Sequence, residues 1–270
     1  MNVIDKYNAR ADAVASLLCV GLDSDISELP ATFQSDPTPQ FAFNRWIIDQ
    51  THAFTAAYKP NIAFYEARGE KGWHELRLTV DYLRQNYPDI LTICDAKRGD
   101  NSNSNKGYVK AIFDELDFDC ITLHSYLGRE ALEPFLARAD KGSIILCRTS
   151  NMGAGELQDL QVGGKALWQV IAEKVSQEWN TNGNCMLVVG ATYPDEMRQI
   201  REAAGDMTFL VPGVGLQGGD VEAVVEAGLN RFGKGLIISA SRSVIFADDP
   251  AAEAATLRDQ INAAALRVVR

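Results

Sequence analysis

Residues 95–100 read D-A-K-R-G-D and follow the apolar run L-T-I-C at 91–94. Asp95, Lys97 and Asp100 thus set one ammonium group among carboxylates in a short stretch. Opposite charges about 4 Å apart attract by roughly 4 kcal/mol at an effective dielectric near 20. Such a lysine stays cationic and can act as a proton donor, with Asp95 as a fixed negative charge facing it. Two carboxylates around one lysine leave negative charge poorly compensated. Lys59, in A-Y-K-P-N-I-A-F at 57–64, is the expected second cation.

A second set of residues suits an anion. P-G-V-G-L-Q-G-G at 212–219 and S-A-S-R-S-V-I at 239–245 are both small and polar. Glycines let a backbone approach an anion closely, and its N–H groups can surround the oxygens. Gln217 adds an amide donor, and Arg242 a planar fork matched to phosphate. Together they point to a phosphomonoester site. R-T-S-N-M-G-A-G at 148–155 has the composition of a lid that closes over a ligand. His124 has no acid partner in sequence, so a lining or structural role is expected for it.

Bland explanations exist for each feature. Charge clusters usually keep a turn soluble, most glycines only make tight loops, and Arg98-Gly99-Asp100 read alone is the adhesion tripeptide of extracellular proteins. What favours chemistry is where the clusters fall. Apolar, β-branched runs recur at 17–23, 57–64, 91–97, 120–124, 143–148, 185–190, 208–214 and 236–240. Helix-like segments lie between them: Thr38-Pro39 and Asp249-Pro250 look like helix starts, Gly205 like a helix end, and helical spacing begins at Gly164. Strands alternating with helices imply a parallel sheet with crossover helices. Near-continuous apolar character suits strands covered on both faces.

Eight such units predict a single-domain α/β fold over residues 1–270, a (β/α)8 TIM barrel with an extra N-terminal helix. A doubly wound sheet would usually carry G-x-G-x-x-G after its first strand, where this chain has G-L-D-S-D at 21–25. Barrels hold their chemistry at the C-terminal strand ends, often with phosphate after strands 7 and 8. Asp23, Lys59, Asp95 and Lys97 stand at the ends of the first three predicted strands. Alternation along a strand turns Asp95 and Lys97 to one face, and Arg98 to the other.

Composition narrows the classes. A net charge of -10 argues against nucleic acid polymers and anionic membranes as partners. No apolar run reaches the roughly 18 residues that span a bilayer. The N-terminal M-N-V-I-D-K-Y-N-A-R lacks a signal-peptide core, so a soluble, cytoplasmic protein is expected. Cys19, Cys94, Cys120, Cys147 and Cys185 are odd in number, widely spaced and set in predicted strands. They read as core thiols rather than a disulfide frame or zinc site.

Taken together, these strand ends resemble the orotidine 5'-monophosphate decarboxylase family, in its longer bacterial branch. The resemblance runs from L-C-V-G-L-D at 18–23 to S-R-S-V-I at 241–245 and rests most on D-A-K-R-G-D, P-G-V-G-L-Q-G-G and K-P-N-I-A-F-Y-E. It implies decarboxylation of orotidine 5'-monophosphate (OMP) to uridine 5'-monophosphate (UMP), with no metal or organic cofactor. Lys59, Asp95, Lys97 and Asp100 would form the family's charge array, with Lys97 protonating C6 and Asp95 beside the leaving carboxylate. Asp23 and Lys59 would contact the ribose, Ser150 the pyrimidine, and Gln217 and Arg242 the phosphate. Asp100 would reach into a partner's site, making a homodimer. The chain departs from the family at Asn101, usually apolar, and at Ser104, usually threonine. Serine keeps the hydroxyl for a ribose contact, whereas Asn101 would change the pocket wall. Two other functions compete. Related barrels with D-x-K-x-x-D decarboxylate or condense sugar phosphates with magnesium, but place an acid where this chain has Lys59. An adhesion module would need secretion, which the N-terminus and cysteines oppose.

Overall fold

The computed structural model describes residues 2–214 and 219–268. The eight apolar runs form eight parallel strands: β1 (Leu18–Gly21), β2 (Ala57–Lys59), β3 (Leu91–Arg98), β4 (Cys120–Leu123), β5 (Gly142–Arg148), β6 (Cys185–Val189), β7 (Phe209–Pro212) and β8 (Leu236–Ala240). Each pairs with the next, and β8 pairs with β1 to close the barrel. Every residue of β1, β2, β4, β6 and β8 is buried, as strands with side chains on one face and helices on the other must be.

The helix Val3–Val14 lies under the N-terminal end of the barrel. Its Tyr7 hydroxyl donates to the backbone oxygen of Leu236 at 2.6 Å. Asn2 caps it by accepting from the Ile4 N–H at 2.6 Å. At the same end Asp119 accepts from Thr92 and pairs with Lys6 at 2.8 Å and Arg84 at 3.1 Å.

Helix boundaries follow the sequence signals, with two differences. The helix Pro39–Thr51 starts after Thr38, but the Thr38 hydroxyl donates to Asp36 Oδ1 at 3.2 Å instead of capping. The helix expected from Gly164 starts at Leu167. Gly163 and Gly164, at φ 61° and 82°, turn a two-stranded ribbon of Gln161–Val162 and Lys165–Ala166. Two successive left-handed residues make the turn that matches strand twist, so the pair closes a hairpin before the helix can begin. The Asp249 carboxylate caps the last helix through the Ala252 N–H at 3.0 Å, and Gly205, at φ 59°, ends the helix Pro194–Ala204. All five cysteines are buried free thiols. Among the described residues no helix is long and apolar enough to cross a membrane.

Candidate active site

The C-terminal strand ends open into a cavity of about 530 Å³. Its floor carries the charges. Lys59, 5% exposed at the end of β2, reaches Asp95 Oδ2 with its Nζ at 2.9 Å. Lys97 Nζ takes the other oxygen, Oδ1, at 2.6 Å. Asp95 is thus clamped between two ammonium groups. Burial alone would raise its pKa, but Lys59 and Lys97 more than offset that and hold the carboxyl well below the usual carboxylate range. For Lys59, burial pushes the ammonium pKa down, and Asp95 and Asp23 push it further up, above the ordinary lysine value. Both groups stay charged near neutrality.

Simple strand alternation does not describe the backbone here. From Cys94 to Arg98 β3 advances four residues while β4, from Ile121 to Leu123, advances two. Lys97 sits in this bulge at φ 47°, a left-handed conformation uncommon for a residue with a side chain. Asp95 keeps its ladder on the other side, its N–H donating to the Pro60 oxygen at 3.0 Å. The Lys97 N–H instead donates to the Thr122 hydroxyl at 3.0 Å. Asp95 and Lys97 do face the cavity together, but through a bulge that alternation did not foresee.

Arg98 leaves the site as expected, pairing with Glu66 and lying 5.1 Å from the Tyr108 ring centroid. Gly99 has a steric reason: a Cβ there would stand 2.7 Å from the His124 backbone oxygen and 2.8 Å from its ring. His124 itself is not among the cavity-lining residues.

Asp23 lines the wall beside the pair. Its Oδ2 accepts from the Ser241 hydroxyl at 2.7 Å, while its Oδ1 is buried with no hydrogen-bond partner among the described residues. Gly21 makes that contact possible, since a Cβ there would fall 2.8 Å from Ser241 Cβ. Such an orphan oxygen is an acceptor held ready for a ligand hydroxyl. Ser150 and Arg242 line the same cavity. Gln217 lies outside the described residues; to either side of it along the chain, the Gly219 N–H donates to the Gly213 oxygen at 3.1 Å.

Asp100 and Ser104 are not brought into this cavity. Asp100 is exposed, its carboxylate accepting from the Asn101 N–H at 2.6 Å and the Asn101 side chain at 3.0 Å. Asn101 caps the helix Ser102–Val109 by accepting from the Ser104 N–H at 3.1 Å, which explains a polar residue at that place. Ser104 sits half-buried in that helix's first turn.

Several lining residues were not singled out from sequence: Asn61, Thr122 and Gln158, and, inside stretches read only as lid or anion site, Thr149, Ser239 and Ser241. Thr149 and Gln158 tie down the base of the expected lid, the Thr149 N–H donating to Gln158 Oε1 at 3.0 Å and the Gln158 amide to Thr149 Oγ1 at 2.8 Å. Beyond them Met152 is 99% exposed. Among the described residues no three His, Cys, Asp or Glu side chains converge to hold a metal. The cavity can therefore offer two ammonium groups, an orphan carboxylate oxygen, several hydroxyls and a guanidinium, an arrangement for a polar, anionic ligand of nucleotide size.

Comparison with known proteins points the same way. Residues 16–257 match the model of the Orotidine 5'-phosphate decarboxylase / HUMPS family. An orotidine 5'-phosphate decarboxylase of Cellvibrio japonicus is 46% identical, covering 98% of this chain and 99% of its own. The OMP decarboxylase of Leishmania donovani superposes with a TM-score of 0.89 at 38% identity, covering 98% of this chain and all of that one, 100%. The UMP synthase of the same organism gives 0.90 at 40% identity, and this chain covers 57% of its length. With its barrel and its sequence both matching, the chain belongs to the orotidine 5'-phosphate decarboxylase / HUMPS family.

Proposed function

We propose that this enzyme is a carboxy-lyase that converts OMP to UMP and CO2. The observation that carries the assignment within the family is the Lys59–Asp95–Lys97 clamp, with Asp95 held by both ammonium groups at 2.9 and 2.6 Å. The C6–carboxylate bond breaks, CO2 leaves, and the electron pair stays at C6. Lys97 Nζ gives its proton to that carbon, and the amine recovers a proton from solvent. Asp95 stands beside the substrate carboxylate and keeps Lys97 aimed. The charges are in place before the reaction begins, which is electrostatic preorganisation.

Asp23, through its unpaired Oδ1, and Lys59 bind the ribose hydroxyls. Ser150 contacts the pyrimidine, and Arg242 and Gln217 hold the phosphate. Phosphate binding far from C6 supplies energy for closing the 148–155 segment over the ligand. Asp100 acts across a dimer interface in the partner's site, consistent with its exposed position on this chain, and Ser104 offers its hydroxyl to the ribose. The working enzyme is a cytoplasmic homodimer, a single barrel domain over residues 1–270 that uses neither metal nor organic cofactor.

The sugar-phosphate chemistry of related barrels with D-x-K-x-x-D is the second reading. Lys59 counts against it, because a cation occupies the strand end where those enzymes carry an acid. One assay separates them: OMP turnover followed by loss of orotate absorbance, with and without EDTA. Turnover insensitive to EDTA is expected; no turnover would sink the proposal, and EDTA-sensitive turnover would overturn its metal-free part. Mixing Asp100→Asn with Arg242→Ala subunits tests the shared site. Heterodimers should recover activity, and verified heterodimers without any would count against Asp100 crossing the interface.

A further inference from the structure

The Lys59–Asp95–Lys97 clamp at the cavity floor has a fourth member that no sequence motif announced. Thr122, on β4, is 1% exposed and lines the cavity. Its hydroxyl accepts the Lys97 N–H at 3.0 Å and donates to Asp95 Oδ1 at 2.9 Å. Asp95 Oδ1 is the same oxygen that receives Lys97 Nζ at 2.6 Å. Thr122 therefore touches the backbone of one member of the pair and the side chain of the other.

The directions of these bonds are not free. A backbone N–H can only donate and an ionised carboxylate can only accept. The hydroxyl must then accept from Lys97 and donate to Asp95, so its rotor is locked. The bulge between Cys94 and Arg98 takes Lys97 off the regular β4 ladder, and the hydroxyl satisfies the N–H released by it. Left-handed backbone at a non-glycine residue is disfavoured and persists only where its surroundings hold it. Valine would fill the same space without either bond.

We propose that Thr122 is a positioning residue for decarboxylation, its hydroxyl fixing the bulged backbone of Lys97 and the Asp95 carboxylate in one geometry. The proposal rests on the decarboxylase assignment above. Its consequence is a division of labour: Thr122 sets how well Lys97 is aimed at C6, while ribose and phosphate binding lie with other residues.

The test compares wild type with Thr122→Val, Thr122→Ser and Thr122→Ala. It measures kcat and KM for OMP, the dissociation constant of UMP by calorimetry, and the melting temperature. Misplacing a catalytic group by about 1 Å can lower the rate about a hundredfold. Thr122→Val should therefore lose about a hundredfold in kcat while UMP affinity stays within about threefold. Thr122→Ser, which keeps the hydroxyl, should recover most of the rate. Should Thr122→Val fail to fold, Thr122→Ala against Thr122→Ser decides by the same criteria. A hydroxyl-free variant that keeps wild-type kcat would overturn the proposal, as would equal losses of rate and UMP affinity, or serine no better than valine or alanine. A wild-type enzyme without OMP turnover would instead remove the assignment on which it rests. In a crystal structure of a hydroxyl-free variant, a Lys97 Nζ–Asp95 Oδ1 distance still at 2.6 Å would reject positioning whatever the rates.

Discussion

At the N-terminal end of the barrel Asp119 is 6% exposed, and at the C-terminal end Asp95 is 8% exposed; both face two cations and a threonine. In each case a threonine hydroxyl accepts a backbone N–H and donates to the carboxylate: Thr92 serves Asp119, and Thr122 serves Asp95. The difference lies in what surrounds them. Asp119 also accepts the Thr92 N–H at 2.9 Å, so threonine and aspartate close a reciprocal set of bonds between β3 and β4. At the mouth the threonine joins two residues of one bulged strand. Lys97 there is left-handed with half its side chain exposed, and neighbouring Asp23 keeps a buried oxygen unpaired. Buried ion pairs alone do not mark a site. Opening into the cavity of about 530 Å³, beside the orphan oxygen of Asp23, does.

Mutations at the two ends should therefore separate activity from stability. Lys97→Ala should give the largest effect, a kcat lower by about 10⁴-fold or more, with UMP binding retained in calorimetry. Asp119→Ala should instead strand Lys6, leave Arg84 only its bonds to Asp117, and remove about 3–5 kcal/mol in urea denaturation, with kcat per folded molecule unchanged. If its kcat fell as far as that of Lys97→Ala, the contrast between the ends would be wrong. Arg242→Ala should raise KM for OMP about 10- to 100-fold, the worth of hydrogen bonds to a charged phosphate. Asp23→Asn should also weaken OMP binding yet change the melting temperature little, because the lost attraction to Lys59 and the relieved burial of a carboxylate oppose each other. A marked drop in melting temperature would show that Asp23 serves the fold.

The smallest expected effect comes from pH. Asp95 has a folded pKa below its unfolded value, so its contribution to stability is present above about pH 4 and fades as pH falls through the folded value. Lys59 has a raised folded pKa, so its contribution is full below about pH 10 and fades as pH rises through the folded value. Neither group changes charge between pH 5 and 9 as these directions run, and kcat at saturating OMP should show no limb from them. Replacing Lys59 by methionine should bring an acid limb towards that window as Asp95 loses a partner.

The strands were legible because burial on both faces leaves little room for anything but apolar residues. Lys59, Asp95 and Lys97 were legible because charges at the ends of such runs stand out. Their common face was reached for an incomplete reason, since the bulge at Lys97 depends on β3–β4 register, which no local pattern carries. Thr122 left a faint signal as a hydroxyl in C-I-T-L-H, but its partners lie 25 and 27 residues away along the chain. Ser241 was hidden similarly, its contact with Asp23 crossing 218 residues. The Gly163–Gly164 turn was missed because helical spacing farther on drew the boundary too early.

The buried thiols carry a practical consequence. Burial pushes the Cys19 and Cys185 pKa values up to about 12, and those of Cys94, Cys120 and Cys147 upward as well. Thiolate, the form that attacks alkylating dyes, is thus scarce while the barrel is shut. A maleimide dye added to this enzyme would label molecules only as they open, with cysteines in β1, β3, β4, β5 and β6 as its reporters. Staining would then measure how often each part of the barrel comes apart, without any engineered label.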